Sequence, residues 1–480
     1  MKRFFLIVVG YLLVLASWLP LLRSKHFRQP TIEEHLAEQR GRLPTTHEEG
    51  TPPAGPLLTL GKVEASEYFP VHIGVYTHRM LAITEDILDT HLVVIGEIGS
   101  GKTTGLLTLI DQLVRNTNRD IIVVNGKGDE EFAQSVRALL YPRRGETPIV
   151  RLGSYKRGAH YDAFRGDALA IYNRLVKLAG LEEMRGEATF WAELHRNGLQ
   201  LICFAPDGPP RSFAEVEARL DQKWLNNTYK NNAARKRIVA DVVKDRGTSG
   251  SALRNLALLL SPIINELGGV ITQSGYGLED GNVIFSVRTE SIPDTARRFF
   301  ALFVEDAKDY IGNRQKKPAA LIIDEFHAFN NESITWLLSM ARSFKLAVIL
   351  ATQSTASLGK DLQQKLLLSN TTTVISLRTM FPEDICNLAG TIEAPLHTHQ
   401  VDSGSFTSMG SVRIEDKYRI DPNDVARLPN GYAYLVRQRT YAKFRFYRQT
   451  IDLSSLPPEL TYTPPPPPSD EPPPDVMELK

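Results

Sequence analysis

The sequence predicts an α/β fold: a parallel sheet covered by helices and interrupted by a long all-helical segment. Three observations carry that expectation. Short apolar runs recur at residues 92–95, 121–124, 283–287 (broken by Ser286), 319–323 and 346–350, the pattern of strands buried on both faces. Amphipathic helical patterns lie between several of these runs, as at 295–312 and 334–344. From about 168 to 262 the chain shows helical patterns and polar turns with no apolar strand run. The chain has 480 residues, a formal net charge of +1 and two cysteines, Cys203 and Cys386. A near-neutral balance excludes a wholly basic nucleic-acid coat, so any polyanion contact is local. Two cysteines build neither a disulfide framework nor a metal-ligand spacing, which fits a reducing compartment.

In chain order, residues 4–22 (FFLIVVGYLLVLASWLPLL) carry no charge and follow Lys2 and Arg3. A helix of that length spans roughly 28 Å, close to the hydrocarbon thickness of a bilayer. Residues 1–23 therefore read as a transmembrane anchor; the alternative is a signal peptide cleaved near Ala16. Flanking charges do not orient the span, with Lys2 and Arg3 before it and Arg23, Lys25 and Arg28 after it. The glycine-rich sequence Gly96-x-x-x-x-Gly101-Lys102-Thr103, the pattern of a nucleotide-binding loop, places the bulk in the cytoplasm. Residues 24–61 read as a polar, proline-containing linker with one short helix near 32–40, and globular character starts near Val63.

The run 92–95 leads into Gly96-Glu97-Ile98-Gly99-Ser100-Gly101-Lys102-Thr103-Thr104, and a helical pattern with Leu106, Leu107, Ile110 and Leu113 follows. Strand, glycine-rich turn and helix start form a phosphate-binding loop in its required context. The glycines let successive backbone N–H groups face a phosphate, and the helix N-terminus adds its dipole. Lys102 suits the β- and γ-phosphates of ATP, and the Thr103 hydroxyl suits Mg²⁺. A second strand at 120–125 ends in a glycine-containing turn at Gly126-Lys127.

Within the helical insertion, 168–262, the stretch 211–247 carries nine Lys or Arg against five Asp or Glu. It reads either as a solvated helix face or as a contact for nucleic-acid phosphates. Beyond the strand at 283–287, the run Ala319-Ala-Leu-Ile-Ile ends in Asp324-Glu325. Two carboxylates at the end of a buried strand are the Walker B pattern: Asp324 to hold Mg²⁺, Glu325 to polarise the attacking water. The strand at 346–350 ends in Ala351-Thr-Gln353-Ser354, which puts an amide where it can report on the γ-phosphate. A strand at 372–377 precedes Arg378. The last globular stretch, 431–451, alternates, placing Arg437, Arg439, Tyr441, Lys443, Arg445 and Tyr447 on one face of a terminal strand. That face is either solvent-facing or a basic–aromatic surface for nucleic acid. Residues 453–480 read as an acidic, proline-rich tail, extended and unpacked.

Taken together, the anchor, the loop Gly-Glu-Ile-Gly-Ser-Gly-Lys-Thr, the helical insertion, Leu-Ile-Ile-Asp-Glu-Phe326, Ala341-Arg342-Ser343 and Ala-Thr-Gln-Ser354 resemble the TraG/TraD-type coupling proteins of conjugation and type IV secretion, within the FtsK/HerA superfamily of DNA motors. The resemblance spans roughly 70–435. It implies a RecA-like P-loop core over 62–167 and 263–452, an inserted all-α domain over 168–262, and a homohexamer with ATP between subunits. It implies Lys102 and Thr103 as phosphate and Mg²⁺ ligands, Asp324 and Glu325 as the Walker B pair, and Gln353 as sensor. Arg342 matches a finger acting on the neighbouring subunit's nucleotide, with Arg378 as the second candidate. Family members often carry two membrane spans, whereas this sequence shows one, and Asn125 stands where an Asp is frequent. The implied partners are DNA bound without sequence preference, a relaxase or nucleoprotein substrate, and secretion-channel proteins at a bacterial inner membrane. Two rival expectations stand beside it: a nucleotide-dependent substrate receptor, and a duplex-DNA pump of the FtsK/HerA kind.

Overall fold

A computed structural model of the chain describes residues 57–66, 73–76, 80–182, 184, 186, 188–329, 333–359, 361–402 and 405–459. The expected anchor, most of the linker, including the short helix, and the tail beyond 459 lie outside these residues. Among the described residues no helix is long and apolar enough to cross a membrane.

The first part of the chain contains β1 (Leu57–Ser66), β2 (Ile73–Tyr76), β3 (Met80–Thr84), α1 (Glu85–Leu88), β4 (Leu92–Ile95), α2 (Lys102–Asn116), β5 (Asp120–Asn125), α3 (Glu130–Arg144) and β6 (Ile149–Leu152). Six helices follow: α4 (Ala168–Leu178), α5 (Ala188–Cys203), α6 (Phe213–Arg219), α7 (Gln222–Thr228), α8 (Ala233–Val243) and α9 (Ala252–Leu267). The chain then returns through β7 (Val283–Val287), α10 (Pro293–Asp309), β8 (Ala319–Asp324), α11 (Ser333–Ala341), β9 (Leu346–Thr352), α12 (Asp361–Asn370), β10 (Thr373–Ser376) and α13 (Pro382–Ala389). It ends with β11 (Thr391–Asp402), β12 (Ser405–Tyr418), α14 (Pro422–Ala426), β13 (Tyr432–Arg437) and β14 (Thr440–Phe446).

Twelve strands form one sheet in the order β2-β3-β1-β14-β13-β10-β4-β9-β8-β5-β7-β6. From β10 to β6 every neighbouring pair is parallel; from β10 outward through β13, β14, β1, β3 and β2 every pair is antiparallel. The apolar runs are explained by burial on both faces. Leu92 and Val94 of β4 pack with α2 and α3 on one side, while Val93 and Ile95 join the larger core containing the helices of the insertion. Ile121 and Val123 of β5 divide from Ile122 and Val124 in the same way, as do Ala320 and Ile322 of β8 from Leu321 and Ile323. An all-apolar strand is the sequence trace of that two-sided burial.

Between β6 and β7 the described residues contain helices and no strand within a sheet. Polar caps mark several starts: Asp167, Ser212, Asp221, Asn232 and Ser251 each accept a hydrogen bond from a first-turn N–H. The expected end at 262 falls inside α9, which continues to Leu267 and accommodates Pro262. The buried faces of Ile263, Ile264 and Leu267 hold the helix past the proline.

Three expectations are corrected. The linker does not run to 61: β1 begins at Leu57, and Leu58 and Leu60 are fully buried. Gly61 is required there, because a Cβ would lie 1.9 Å from the Arg445 carbonyl oxygen of β14. The terminal stretch is a hairpin rather than one strand: it turns at Gln438 and Arg439, both with positive φ of 50° and 61°. Tyr441, Lys443 and Arg445 keep a common face, whereas Arg437 and Arg439 belong to the other strand and the turn. The tail is packed at its start: the Pro457 and Pro458 carbonyls accept from Arg137, at 2.8 and 3.2 Å, and Glu459 pairs with Arg151 at 2.6 Å. Two buried guanidinium groups need those oxygens.

Candidate active site

The phosphate-binding loop joins β4 to α2 at the C-terminal ends of the parallel strands. Gly99 and Gly101 have φ of 79° and 100°, the left-handed region open to glycine. A Cβ on Gly101 would stand 2.8 Å from the backbone nitrogen of Gly431, so the loop is braced against the start of β13; Gly431 N also donates to the Ser100 carbonyl at 2.9 Å. On the other side a Cβ at Gly99 would meet nothing within 4 Å, which leaves that edge open to a ligand. Unlike α4, α6, α7, α8 and α9, α2 has no side-chain cap, and its first turn carries no acidic residue. Its first N–H groups thus await an acceptor. The Ser100 hydroxyl is buried and lacks a hydrogen-bond partner among the described residues. An uncapped helix start, an orphaned hydroxyl and an open glycine edge fit a phosphate group.

Lys102 points across the loop to the acidic pair. Its Nζ lies 2.8 Å from Glu325 Oε1 and 3.7 Å from Asp324 Oδ1. Gln353 Nε2 donates to Glu325 Oε2 at 3.3 Å. The strand order explains the meeting: β9, carrying Gln353, lies directly between β4 and β8. Burial would raise the Glu325 carboxyl, but the Lys102 ammonium, followed by His327 and the Gln353 amide, holds it below its usual range. Asp324 goes the other way: its burial outweighs Lys102 and raises it. Glu325 also has φ 53°, a left-handed backbone that a non-glycine residue keeps only where its surroundings impose it. The Lys102 ammonium thus favours the charged form of Glu325, while burial disfavours that of Asp324 although Lys102 is also within 3.7 Å of it.

Comparison with protein-family models and with curated proteins finds no match. Solved structures do match. The unbound monoclinic form of the bacterial conjugative coupling protein TrwBdeltaN70 aligns with TM-score 0.57 at 17% identity, over 81% of this chain and 91% of that one. TrwB in complex with the non-hydrolysable ATP analogue ADPNP aligns with TM-score 0.56 at 18% identity, over 86% and 99%. The chain has the coupling-protein fold. VirB4 of Thermoanaerobacter pseudethanolicus shares it more distantly, with TM-score 0.51 at 11% identity over 83% of this chain and 98% of that one.

On the coupling-protein fold the remaining predicted residues separate into two places. Arg378, just after β10, is tied into its own loop: its backbone oxygen accepts from Glu97 N at 3.0 Å, and its guanidinium binds the Glu97 carboxylate and Asn430 Oδ1, the latter at 3.2 Å. Thr103 is exposed and Thr104 half-buried on the first turn of α2, and Ile98 is 83% exposed at the loop tip. Arg342 is elsewhere. It is exposed in the turn before β9, at the opposite end of the strands and about 20 Å from the loop of its own chain by strand length. Sequence reading missed two contributors, His327 and Gly431. His327 Nδ1 lies 3.1 Å from Glu325 Oε2, two residues past the acidic motif. Gly431 braces the loop from far along the chain, with no local signal. Glu97, visible inside the motif, is the partner of Arg378. Asn125, where an Asp is frequent, is turned inward: its amide donates to the Asp129 carbonyl and its oxygen accepts from Lys127 N.

Proposed function

We propose that this chain is an ATP-hydrolysing DNA translocase acting as a coupling protein in conjugative transfer or type IV secretion. The carrying observation is the Lys102–Glu325–Gln353 chain of contacts at an uncapped helix start, since a protein that only bound nucleotide would need neither a strained glutamate nor its glutamine partner. Lys102, Thr103 and the loop N–H groups would hold the phosphates, and Asp324 with Thr103 the Mg²⁺; the bound pair supplies the phosphoanhydride bond and the charge that neutralises it. Lys102 then exchanges its carboxylate for phosphate, leaving Glu325 free to accept a proton from water, steadied by Gln353 and His327. Arg378, neutralised by Glu97, shapes the loop in its own subunit. Arg342, exposed and remote from its own site, suits a neighbour's nucleotide and so a ring, with six subunits by the resemblance. The TrwB complexes with ADP and Mg²⁺ and with ATP and GTP analogues support nucleotide binding on this fold. The apolar segment 4–22 suits an anchor in a bacterial inner membrane, with relaxase-type cargo and channel proteins as partners.

The test is the hydrolysis rate of the purified full chain without nucleic acid, with single-stranded DNA and with duplex DNA, using GTP as comparator. Stimulation by DNA is expected, and a loss of about 100-fold or more in Glu325→Gln. Hydrolysis indifferent to DNA would sink the motor and leave the substrate receptor. The preferred strand form separates conjugative coupling from a duplex pump.

A further inference from the structure

The start of the acidic tail pairs with two cations that line a cleft at the sheet edge. The cleft, about 400 Å³, is lined by Arg151, Tyr155, Lys156, Arg157 and His160 together with the backbone at Gly269 and Val270. It sits past the C-terminal end of β6, on the same end of the sheet as the phosphate-binding loop and five strand spacings away, roughly 24 Å. Arg151 is a strand residue with 1% side-chain exposure, held by Glu130 at 2.6 Å and Glu459 at 2.6 Å. Lys156, half-exposed, contacts the same two carboxylates at 2.8 and 3.2 Å. Arg157 is exposed and makes no ion pair among the described residues, and Tyr155 is fully exposed beside it. Gly158 is needed for the tight turn, since a Cβ there would lie 2.4 Å from the Ile149 carbonyl oxygen.

The charges that meet here do not balance. Arg137, Arg151, Lys156 and Arg157 face Glu130, Glu146 and Glu459, one positive charge in excess; without Glu459 the excess is two. Glu130 and Glu146 belong to α3 and the loop after it and are fixed there. Glu459 comes from the last described residues; besides Arg151 and Lys156 it contacts Gln134, and the Pro457 and Pro458 carbonyls before it accept from Arg137. A carboxylate on a buried arginine and an exposed lysine, with a bare arginine and an exposed tyrosine alongside, has the pattern of a phosphodiester and its base.

We propose that this cleft binds the phosphate backbone of a single-stranded nucleic acid, and that Glu459 is a displaceable internal competitor for its cations. The inference rests on the translocase reading and adds a site and a restraint to it. Release of Glu459 opens Arg151, Lys156 and Arg157 to successive phosphates, and the Tyr155 ring offers a base-stacking face. The acidic tail downstream, with Asp470, Glu471, Asp475 and Glu478, raises the local concentration of competing charge.

The experiment is fluorescence anisotropy of a labelled oligo-dT with the full chain, over a series of salt concentrations. Glu459→Gln is expected to bind several-fold more tightly than wild type, with a salt dependence steeper by about 0.7 in slope for each additional phosphate neutralised. Lys156→Ala/Arg157→Ala, both exposed and so without folding cost, is expected to weaken binding and to cancel the tighter binding of Glu459→Gln. Tyr155→Ala is expected to lose about fivefold or more. Wild-type binding with DNA-stimulated hydrolysis, unchanged by any of these substitutions, would overturn the cleft and leave the translocase standing. No binding by any variant would overturn both.

Discussion

At the scale of single residues, the site is defined by which charge answers which. Lys102 is shared between Glu325 and Asp324, so removing it leaves the half-buried Glu325 and the buried Asp324 without its charge. Lys102→Ala is expected to lose nucleotide binding, measured by titration of a fluorescent ATP analogue. Glu325→Gln removes the proton acceptor while keeping the side chain's shape, so binding should survive and hydrolysis fail; equal loss of both would contradict the assigned roles. His91 is the other informative residue. Its Nε2 donates to the Leu338 carbonyl at 2.8 Å, and its Nδ1 accepts from Val348 N at 3.2 Å, so the neutral ring ties β4 to α11 and β9. Burial lowers its pKa from 6.5 to about 4. Because the folded-state value lies below the ordinary one, the unfolded chain takes up the proton first. Stability is therefore complete above about pH 6.5 and falls as the pH drops toward about 4, by about 3 kcal/mol at most. His91 also has φ 60°, which asparagine tolerates. In His91→Asn the slope of stability over that window, followed by urea unfolding, should largely vanish; an unchanged slope would assign it to other groups.

At the scale of elements, legibility followed locality. The loop between β4 and α2 and the acidic end of β8 were readable because strand, turn and helix are consecutive and each carries its own signal. β13 and β14 were not separated, because the turn residues Gln438 and Arg439 are neither glycine nor asparagine and give no turn signal. β11 and β12 went unread: Pro395 and a run of polar residues mask the strand pattern. β1 was hidden by the prolines before it, although Leu58 and Leu60 alternate as a half-buried strand should. Its weight can be measured. Leu60→Ala is expected to cost about 2–5 kcal/mol in thermal or urea unfolding; a cost near zero would return residues 57–61 to the linker. The contacts of Pro457, Pro458 and Glu459 were beyond sequence reading, since they join positions more than 300 apart.

At the scale of the whole molecule, the two arginines named from sequence sit at opposite ends of one sheet. Arg378 is spent on Glu97 in its own loop, whereas Arg342 is exposed where a second copy could present it to a nucleotide. Under the proposed ring, Arg342 would supply a positive charge to the neighbouring subunit's nucleotide. This division was half visible: the motif order suggested both candidates, and only the strand directions separated them. The most direct measurement mixes wild-type chain with Arg342→Ala at increasing ratio, at fixed total concentration and with DNA present, and follows ATP hydrolysis. A chain completed by its neighbour predicts a rate that falls more steeply than the wild-type fraction. A rate strictly proportional to that fraction, or unaffected by the substitution, would contradict it.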